Sequence, residues 1–303
     1  MEVVNCNLCG NGYADIIYSA TAHKVGSQGG YACTNNAYGE YYQVVRCQQC
    51  GLFFCSPRPS SADLKSQYSK LSDDLYKQEL SSRVLTFKRN LAHLAQYKKR
   101  GDLLDVGCSL GVFLSEARKK GYSVAGVEPS LWCVQQAKDL FRLDVCQGTD
   151  RDLNQFGRKF DVITLWDVLE HVPNPLKTLK RCKEALKNGG ILAFSTVDIG
   201  SVYARLMGKR WPWLMRMHIY YFDKTTIKKY LNKVGLNLIE IKKYQHTVSL
   251  NYLLYKLKKI SIWLYWLTKL IKRTILFNQN IYITFGLGDF MEVYARKDSG
   301  AKN

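Results

Sequence analysis

The chain has 303 residues, with 44 lysines and arginines against 25 acidic residues and a formal net charge of +19. A hydrophobic fraction of 47% excludes global disorder, and the length suits one large domain with a small one attached. The charge points to an anionic partner (phosphorylated substrate, lipid head group or nucleic acid) without choosing among them.

The opening MEVVNCNLCG has no basic stretch followed by an apolar run, so no secretory leader is expected. Two C-x-x-C pairs, with other cysteines inside apolar runs, fit a reducing cytoplasm better than a disulfide scaffold. No run approaches the ~18 uncharged apolar residues that span a bilayer. The longest candidate, Ile260–Thr268, lies between Lys259 and Lys269.

Cys6-Asn-Leu-Cys9-Gly10 and Cys47-Gln-Gln-Cys50-Gly51 are near-identical knuckles. Each turns tightly, so that two thiolates face one ion and the glycine takes the twist that follows. Cys6, Cys9, Cys47 and Cys50 thus offer four soft ligands for a tetrahedral zinc. Two redox pairs or buried thiols are the alternative, and Cys33 and Cys55 read as structural. Four thiolates leave no open coordination position, so the zinc would be structural. The module covers residues 1–59, ending at the breaker sequence Cys55-Ser-Pro-Arg-Pro59, and a larger domain follows over 60–303.

Residues 62–99 read as helix, with Leu85, Leu91, Leu94 and Tyr97 among the apolar positions. Strand-like and helix-like segments then alternate. Strands are expected at 103–107, 122–128, 144–148, 161–166 and 191–197, and helices at 112–120, 131–141 and 175–187. This alternation predicts an α/β fold, a mainly parallel sheet with helices on both faces. Residues 209–222, aromatic and basic, read as a lid-like segment. A helix over 225–234, a strand over 236–244, a basic aromatic helix over 249–277 and strand-like sequence over 281–296 complete the chain.

The central signal is Leu103-Leu-Asp105-Val-Gly107-Cys108-Ser109-Leu-Gly111. A hydrophobic strand turns through glycines into a helix, bringing backbone N–H groups to a ligand at the helix N-terminus. Glu128, ending the next strand, can accept both hydroxyls of a ribose. Dinucleotide sites favour G-x-G-x-x-G. The carboxylate of Asp105 inside this loop would repel a pyrophosphate and suits the ammonium of a methionine moiety.

The segment resembles the first motif of class I S-adenosylmethionine methyltransferases, D/E-x-G-x-G-x-G, with Ser109 in place of the middle glycine. Phe160-Asp-Val-Ile-Thr-Leu-Trp166-Asp167-Val-Leu-Glu170-His171-Val-Pro-Asn-Pro175 and Lys187-Asn-Gly-Gly-Ile-Leu192 are similar to that family's fourth-strand segment and the turn before its fifth strand. The likeness covers roughly the core 100–200. It implies a Rossmann-like fold with a seven-stranded sheet, and S-adenosyl-L-methionine as cofactor. It also implies that Asp105, Gly107, Cys108, Ser109 and Gly111 line the cofactor and Glu128 holds its ribose. Thr149 and Asp150 would flank the adenine, and Trp166 and Asp167 would lie at the methionine end. The zinc ribbon ahead of this domain, running on into Gly51-Leu-Phe-Phe, resembles bacterial methyltransferases of sugar and cell-surface glycan pathways.

Methyl transfer needs an oriented nucleophile and, where required, a proton acceptor. His171, expected at the end of the fourth strand, and His218, in the lid-like segment, are the candidate bases. Either could instead be structural. By resemblance to quinone O-methyltransferases, Glu170 and His171 could also engage a divalent metal. The 249–277 helix carries Lys256, Lys258, Lys259, Lys269, Lys272 and Arg273 among aromatics and no acids, a composition suited to anionic lipid or to packing on the domain.

The reading expects a cytoplasmic S-adenosylmethionine-dependent methyltransferase with a structural zinc. Its acceptor would be a sugar or a lipid- or nucleotide-linked glycan, with a quinone or other small molecule as the alternative. A peripheral membrane contact through 249–277 at the inner membrane face, and a homodimer, are admitted. The non-enzymatic competitor is a nucleic-acid-binding zinc protein with a degenerate Rossmann domain, although no recognised nucleic-acid-binding module is present.

Overall fold

The computed structural model describes residues 1–22, 39–70, 72, 74–260, 266 and 281–299. The N-terminal part supplies β1 (Ala14–Tyr18), β2 (Val44–Cys47), β3 (Phe53–Cys55), α1 (Ser61–Ser69), α2 (Asp74–Gln78) and α3 (Leu80–Leu94). The alternating region follows as β4 (Gly101–Val106), α4 (Val112–Lys119), β5 (Tyr122–Glu128), α5 (Leu131–Phe141), β6 (Val145–Gln147), β7 (Phe160–Leu165), α6 (Pro175–Ala185) and β8 (Leu186–Val197). Then come α7 (Val202–Met207), β9 (Tyr220–Tyr221), α8 (Lys224–Val234), β10 (Leu236–Lys243), β11 (His246–Ser249), α9 (Leu250–Ile260), β12 (Tyr282–Phe285) and β13 (Phe290–Lys297).

Seven strands form the central sheet in the order β10-β13-β8-β7-β4-β5-β6. The five strands from β8 to β6 are mutually parallel, while β13 runs antiparallel to both β8 and β10. Leu103 and Leu104 of β4, Val162 and Ile163 of β7, and Leu192 and Phe194 of β8 are buried without alternation. A sheet covered on both faces requires such runs. The helices begin where short polar side chains satisfy their first amides. Ser130 caps α5, Asn174 precedes Pro175 at the start of α6, and Asp223 forms a capping box with Thr226 on α8. The expected α/β sheet is therefore present, and its parallel strands deliver their carboxyl ends to one edge.

Three expectations change in detail. The helix expected over 62–99 is three helices, α1 to α3. The lid-like segment 209–222 is not an open lid, because Trp211, Leu214, Met215, Met217 and Ile219 are buried. Its end, β9, pairs with β3, so the N-terminal sheet runs β1-β2-β3-β9 and takes one strand from beyond residue 59. The boundary at 59 is thus crossed by sheet hydrogen bonds, because Phe53 and Phe54 gain a buried partner strand there that a free-standing module would lack. The 249–277 helix is described only as α9, and its positions 261–265 and 267–277 lie outside the described residues. No helix among the described residues is long and apolar enough to cross a membrane.

Gly111 begins α4 at φ +76°, and a Cβ there would lie 2.5 Å from Leu143 Cδ1 and 3.2 Å from Ala137 Cβ. Gly111→Ala is expected to cost about 2 kcal/mol or more in urea unfolding, from left-handed strain plus overpacking. A loss below about 0.5 kcal/mol would contradict that close approach.

Candidate active site

The turn from β4 into α4 lies against the end of β5. Glu128 is 6% exposed, and each of its oxygens accepts one backbone amide, Ser109 N–H on Oε2 and Ser130 N–H on Oε1, both at 2.9 Å. Burial raises its carboxyl to about 7, against the lowering effect of those two bonds. Ser109 has φ +48°, a left-handed conformation that explains why glycine suits this position. Its amide tethers the loop to Glu128, so the serine is accommodated. Gly107 has φ +75°, and a Cβ there would meet Val168 Cγ2 at 2.7 Å.

A cavity of about 510 Å³ opens from this loop. Of the expected cofactor residues, Gly107, Ser109, Glu128, Thr149, Asp150, Trp166 and Asp167 line it, and Asp105, Cys108 and Gly111 are not in its wall. Asp105 departs most from expectation. It lies fully buried below the loop, where Oδ1 accepts Thr164 Oγ1 at 2.6 Å. Burial, and then the neighbouring Glu128 charge, raise its carboxyl to about 8. Through that hydrogen bond Asp105 ties β4 to β7. Cys108 and Gly111 act through packing, Cys108 Sγ lying 2.7 Å from where a Cβ on Gly126 would stand.

Thr149 N–H donates to Asp152 Oδ2 at 2.8 Å, and Asp150 is held by Arg181 at 2.6 Å and Thr178 at 3.0 Å. Trp166 packs edge-on to Phe113, with ring centroids 5.1 Å apart, and its buried Nε1 has no hydrogen-bond partner among the described residues. Asp167, at φ +55°, exchanges hydrogen bonds with Ser195 through its amide and its carboxylate. A non-glycine residue held there stores strain of the kind that concentrates at functional sites.

Farther along the same cavity the two candidate bases meet. His171 and His218 have ring centroids 4.8 Å apart at 63°. Nδ1 of His171 lies 2.8 Å from the Met217 carbonyl and Nδ1 of His218 lies 2.8 Å from the Trp213 carbonyl. A carbonyl only accepts, so both Nδ1 atoms donate and each Nε2 is left as an acceptor. Burial lowers the proton affinity of both rings, and that of His218 well below the ordinary range. Glu170 is fully buried. Its Oε2 accepts Thr196 Oγ1 at 2.9 Å, whereas its Oε1 has no partner among the described residues. Burial, then the Asp167 charge, raise Glu170 to about 8. Ligand atoms of Glu170, His171 and His218 all lie within 4.8 Å of one another.

The remaining wall comes from α1, α3, the β11–α9–β12 insertion and the start of β13, and includes Leu64, Phe87, His246, Tyr252, Leu253 and Phe290; the sequence reading placed the 249–277 insertion at the substrate mouth but singled out none of the others. No motif marks these positions. The one usable signal was His246, a histidine next to the aromatic Tyr244.

The four knuckle thiols converge, with Sγ atoms within 4.8 Å of one another, Cys6 to Cys50 at 3.3 Å and Cys9 to Cys47 at 3.5 Å. Gly10 and Gly51, at φ +85° and +81°, close the two turns onto the carbonyls of Cys6 and Cys47. Cys33 lies outside the described residues, and Cys55 is buried in β3.

A glycine turn, an acid at the tip of the next strand and a cavity at the carboxyl ends of parallel strands define a Rossmann-like methyltransferase domain. Residues 77–241 match the sequence model of the methyltransferase domain family, and the chain belongs to that family. The ubiquinone biosynthesis O-methyltransferase of Histophilus somni (strain 2336) is 32% identical over 106 residues, which is 32% of this chain and 44% of that protein. Its counterpart in Actinobacillus pleuropneumoniae serotype 7 (strain AP76) is 38% identical over 106 residues, 32% of this chain and 45% of that one. The chain thus spans less than half the length of these curated relatives. The solved structure of the [4+2]-cyclase SpnF aligns with a TM-score of 0.51 and 17% identity, over 80% of this chain and 99% of that one. That likeness concerns the fold alone.

Proposed function

We propose that this chain transfers a methyl group from S-adenosylmethionine to a ring hydroxyl of an apolar, quinone-precursor-like small molecule. The observation that carries the reading is the single cavity running from the glycine loop and Glu128 to His171 and His218. The residues fit an adenosyl cofactor: Gly107 leaves room for close approach, Glu128 presents two carboxylate oxygens, and Trp166 Nε1 awaits an acceptor. Bound there, the cofactor supplies an electrophilic methyl carbon. This chain's residues do the rest. Phe87, Trp166, Trp213 and Phe290 exclude water and hold a flat acceptor, and Nε2 of His171 takes the hydroxyl proton. His171 is preferred over His218 because its proton affinity is lowered less.

The names of the curated relatives and the aromatic walls favour this acceptor over the sugar or glycan expected from the sequence. The insertion carrying α9 roofs the cavity through Tyr252 and Leu253, so a lipid-linked acceptor could enter from an anionic membrane surface. Calorimetry with S-adenosylmethionine, then S-adenosylhomocysteine release with an alkylcatechol against a nucleotide sugar, tests the reading. Turnover of the sugar alone would replace the acceptor class, and absence of cofactor binding would end it.

A second reading rests on the unpartnered Glu170 Oε1. Glu170, His171 and His218 would hold a divalent cation, which when bound would polarise the acceptor hydroxyl. If His171 is the base, His171→Ala lowers kcat by about 100-fold or more and His218→Ala by about tenfold or less. Equal losses in both variants, with loss of a chelator-removable metal found by elemental analysis, would favour the cation.

The knuckles fit a structural zinc. Zinc–sulfur bonds of ~2.3 Å place tetrahedral thiolates ~3.8 Å apart, close to the separations of these four. Cys6, Cys9, Cys47 and Cys50 would hold it and tie residues 1–22 to β2 and β3.

A further inference from the structure

We propose that His246 is a specificity-determining residue that hydrogen-bonds a second oxygen of the acceptor ring, apart from the hydroxyl that is methylated. The inference rests on the methyl-transfer reading and deepens it. His246 opens β11, beyond the 77–241 span of the family match, so it belongs to the insertion between β10 and β13. Side chains from three separate segments frame the ring. Tyr244 stands 4.7 Å away at 76°, Phe290 4.8 Å away at 84°, and Trp213 5.9 Å away at 33°. Trp213 is itself anchored, its indole N–H donating to Asp289 Oδ2 at 2.8 Å. The imidazole is therefore held in place by aromatic packing on several sides.

Its hydrogen bonding differs from that of its two neighbours. His171 and His218 each spend Nδ1 on a carbonyl, whereas His246 makes no side-chain hydrogen bond among the described residues, and its Nε2 is buried without a partner. An unpaired buried nitrogen is costly, and phenylalanine would fill the same aromatic slot without that cost. A polar atom kept at such a place, in the wall of a substrate cavity, is explained by a partner that arrives with the ligand. Trp213 contacts both His218, with centroids 6.4 Å apart, and His246. One flat ring lying along Trp213 could then meet the reaction centre at one oxygen and His246 at another. Among the aromatic side chains of Tyr244, Phe290 and Trp213, one polar contact separates acceptors by their oxygen pattern rather than by size.

The test is calorimetric binding of three probes to full-length protein saturated with S-adenosylhomocysteine: an alkylcatechol, an alkylhydroquinone and the alkylphenol lacking the second oxygen. Wild type is expected to prefer at least one two-oxygen ring over the phenol by about tenfold. His246→Phe keeps the packing and should bind all three alike, with an unchanged or higher Tm, and His246→Gln should restore part of the preference. In turnover, His246→Phe should raise the acceptor KM about tenfold and leave kcat within about twofold. A wild type that does not distinguish the rings or binds none of them, or a preference that survives in His246→Phe, overturns the proposal. Failure of the parent reading is seen separately, as no binding of S-adenosylhomocysteine, or as ring binding without turnover.

Discussion

Glu128→Ala is expected to weaken S-adenosylmethionine binding by about a hundredfold or more, because hydrogen bonds to a buried charged group are among the strongest single contacts a site can make. The same side chain holds Ser109 N–H and Ser130 N–H, so its loss also releases the glycine turn. Glu128→Gln should lose less affinity, since it keeps one acceptor. The charge state adds a second signature. In the free protein the carboxyl sits at about 7, and accepting two hydroxyls favours its ionised form. Binding should therefore release a proton, and affinity should fall by up to about tenfold per pH unit below 7 while staying level above 8. The Gln variant should show a flat profile. A wild-type affinity constant from pH 5.5 to 8.5 would remove Glu128 from the cofactor site.

The sign for stability is opposite. The folded pKa of Glu128 is raised above its ordinary 4.5, so the unfolded chain ionises first as pH rises. The free protein then loses stability between about 4.5 and 7, by roughly 3 kcal/mol if Glu128 titrates alone. Bound cofactor should recover most of that loss.

The second large effect concerns the thiols. Cys47→Ser, or removal of zinc with a strong chelator, is expected to lower the melting temperature by about 10 °C or more, because a small module with so few long apolar runs depends on its metal to fold. The damage should reach catalysis. Cys55 N–H donates to the Ile219 carbonyl at 2.9 Å, and Phe53 and Phe54 pair with Tyr221 and Tyr220, so β3 positions the segment that carries His218. Arg58 donates to the Pro173 carbonyl at 2.9 Å and Lys229 to the Cys50 carbonyl at 2.8 Å, fastening both sides of the module to the methyltransferase domain. Turnover should fall by about 100-fold while cofactor affinity, set at the far end of β5, stays within a few-fold. Wild-type activity in a metal-free, fully folded protein would refute this coupling.

The alternating strands and helices were legible because their signals are local: buried apolar runs, capping residues and glycines at several of the turns. The α5 boundaries, Leu131–Phe141, match the expectation at both ends because Ser130 caps the start and the pattern stops at Arg142. The burial of 209–222, read from the sequence as a loop or lid rather than a regular element, was not legible for the opposite reason. Its aromatic and basic composition resembles exposed loop sequence, yet Trp211 reaches Asp289 through its indole N–H and the segment is built into the wall.

By itself the sequence determined the glycine turn, the acid at the tip of β5 and the two cysteine knuckles, since each is a short pattern whose spacing dictates its shape. Only the tertiary structure decided what meets across the cavity. His171 and His218 come together over 47 positions, β9 joins a sheet that begins near residue 14, and His246 arrives from an insertion with no motif. Asp105 shows the same division from within a motif: its position was legible, but its burial and its bond to Thr164 come from the packing of β4 on β7. Residues distant along the chain meet through packing of whole elements, and a side chain's charge depends on what surrounds it. Neither leaves a period or a spacing to read.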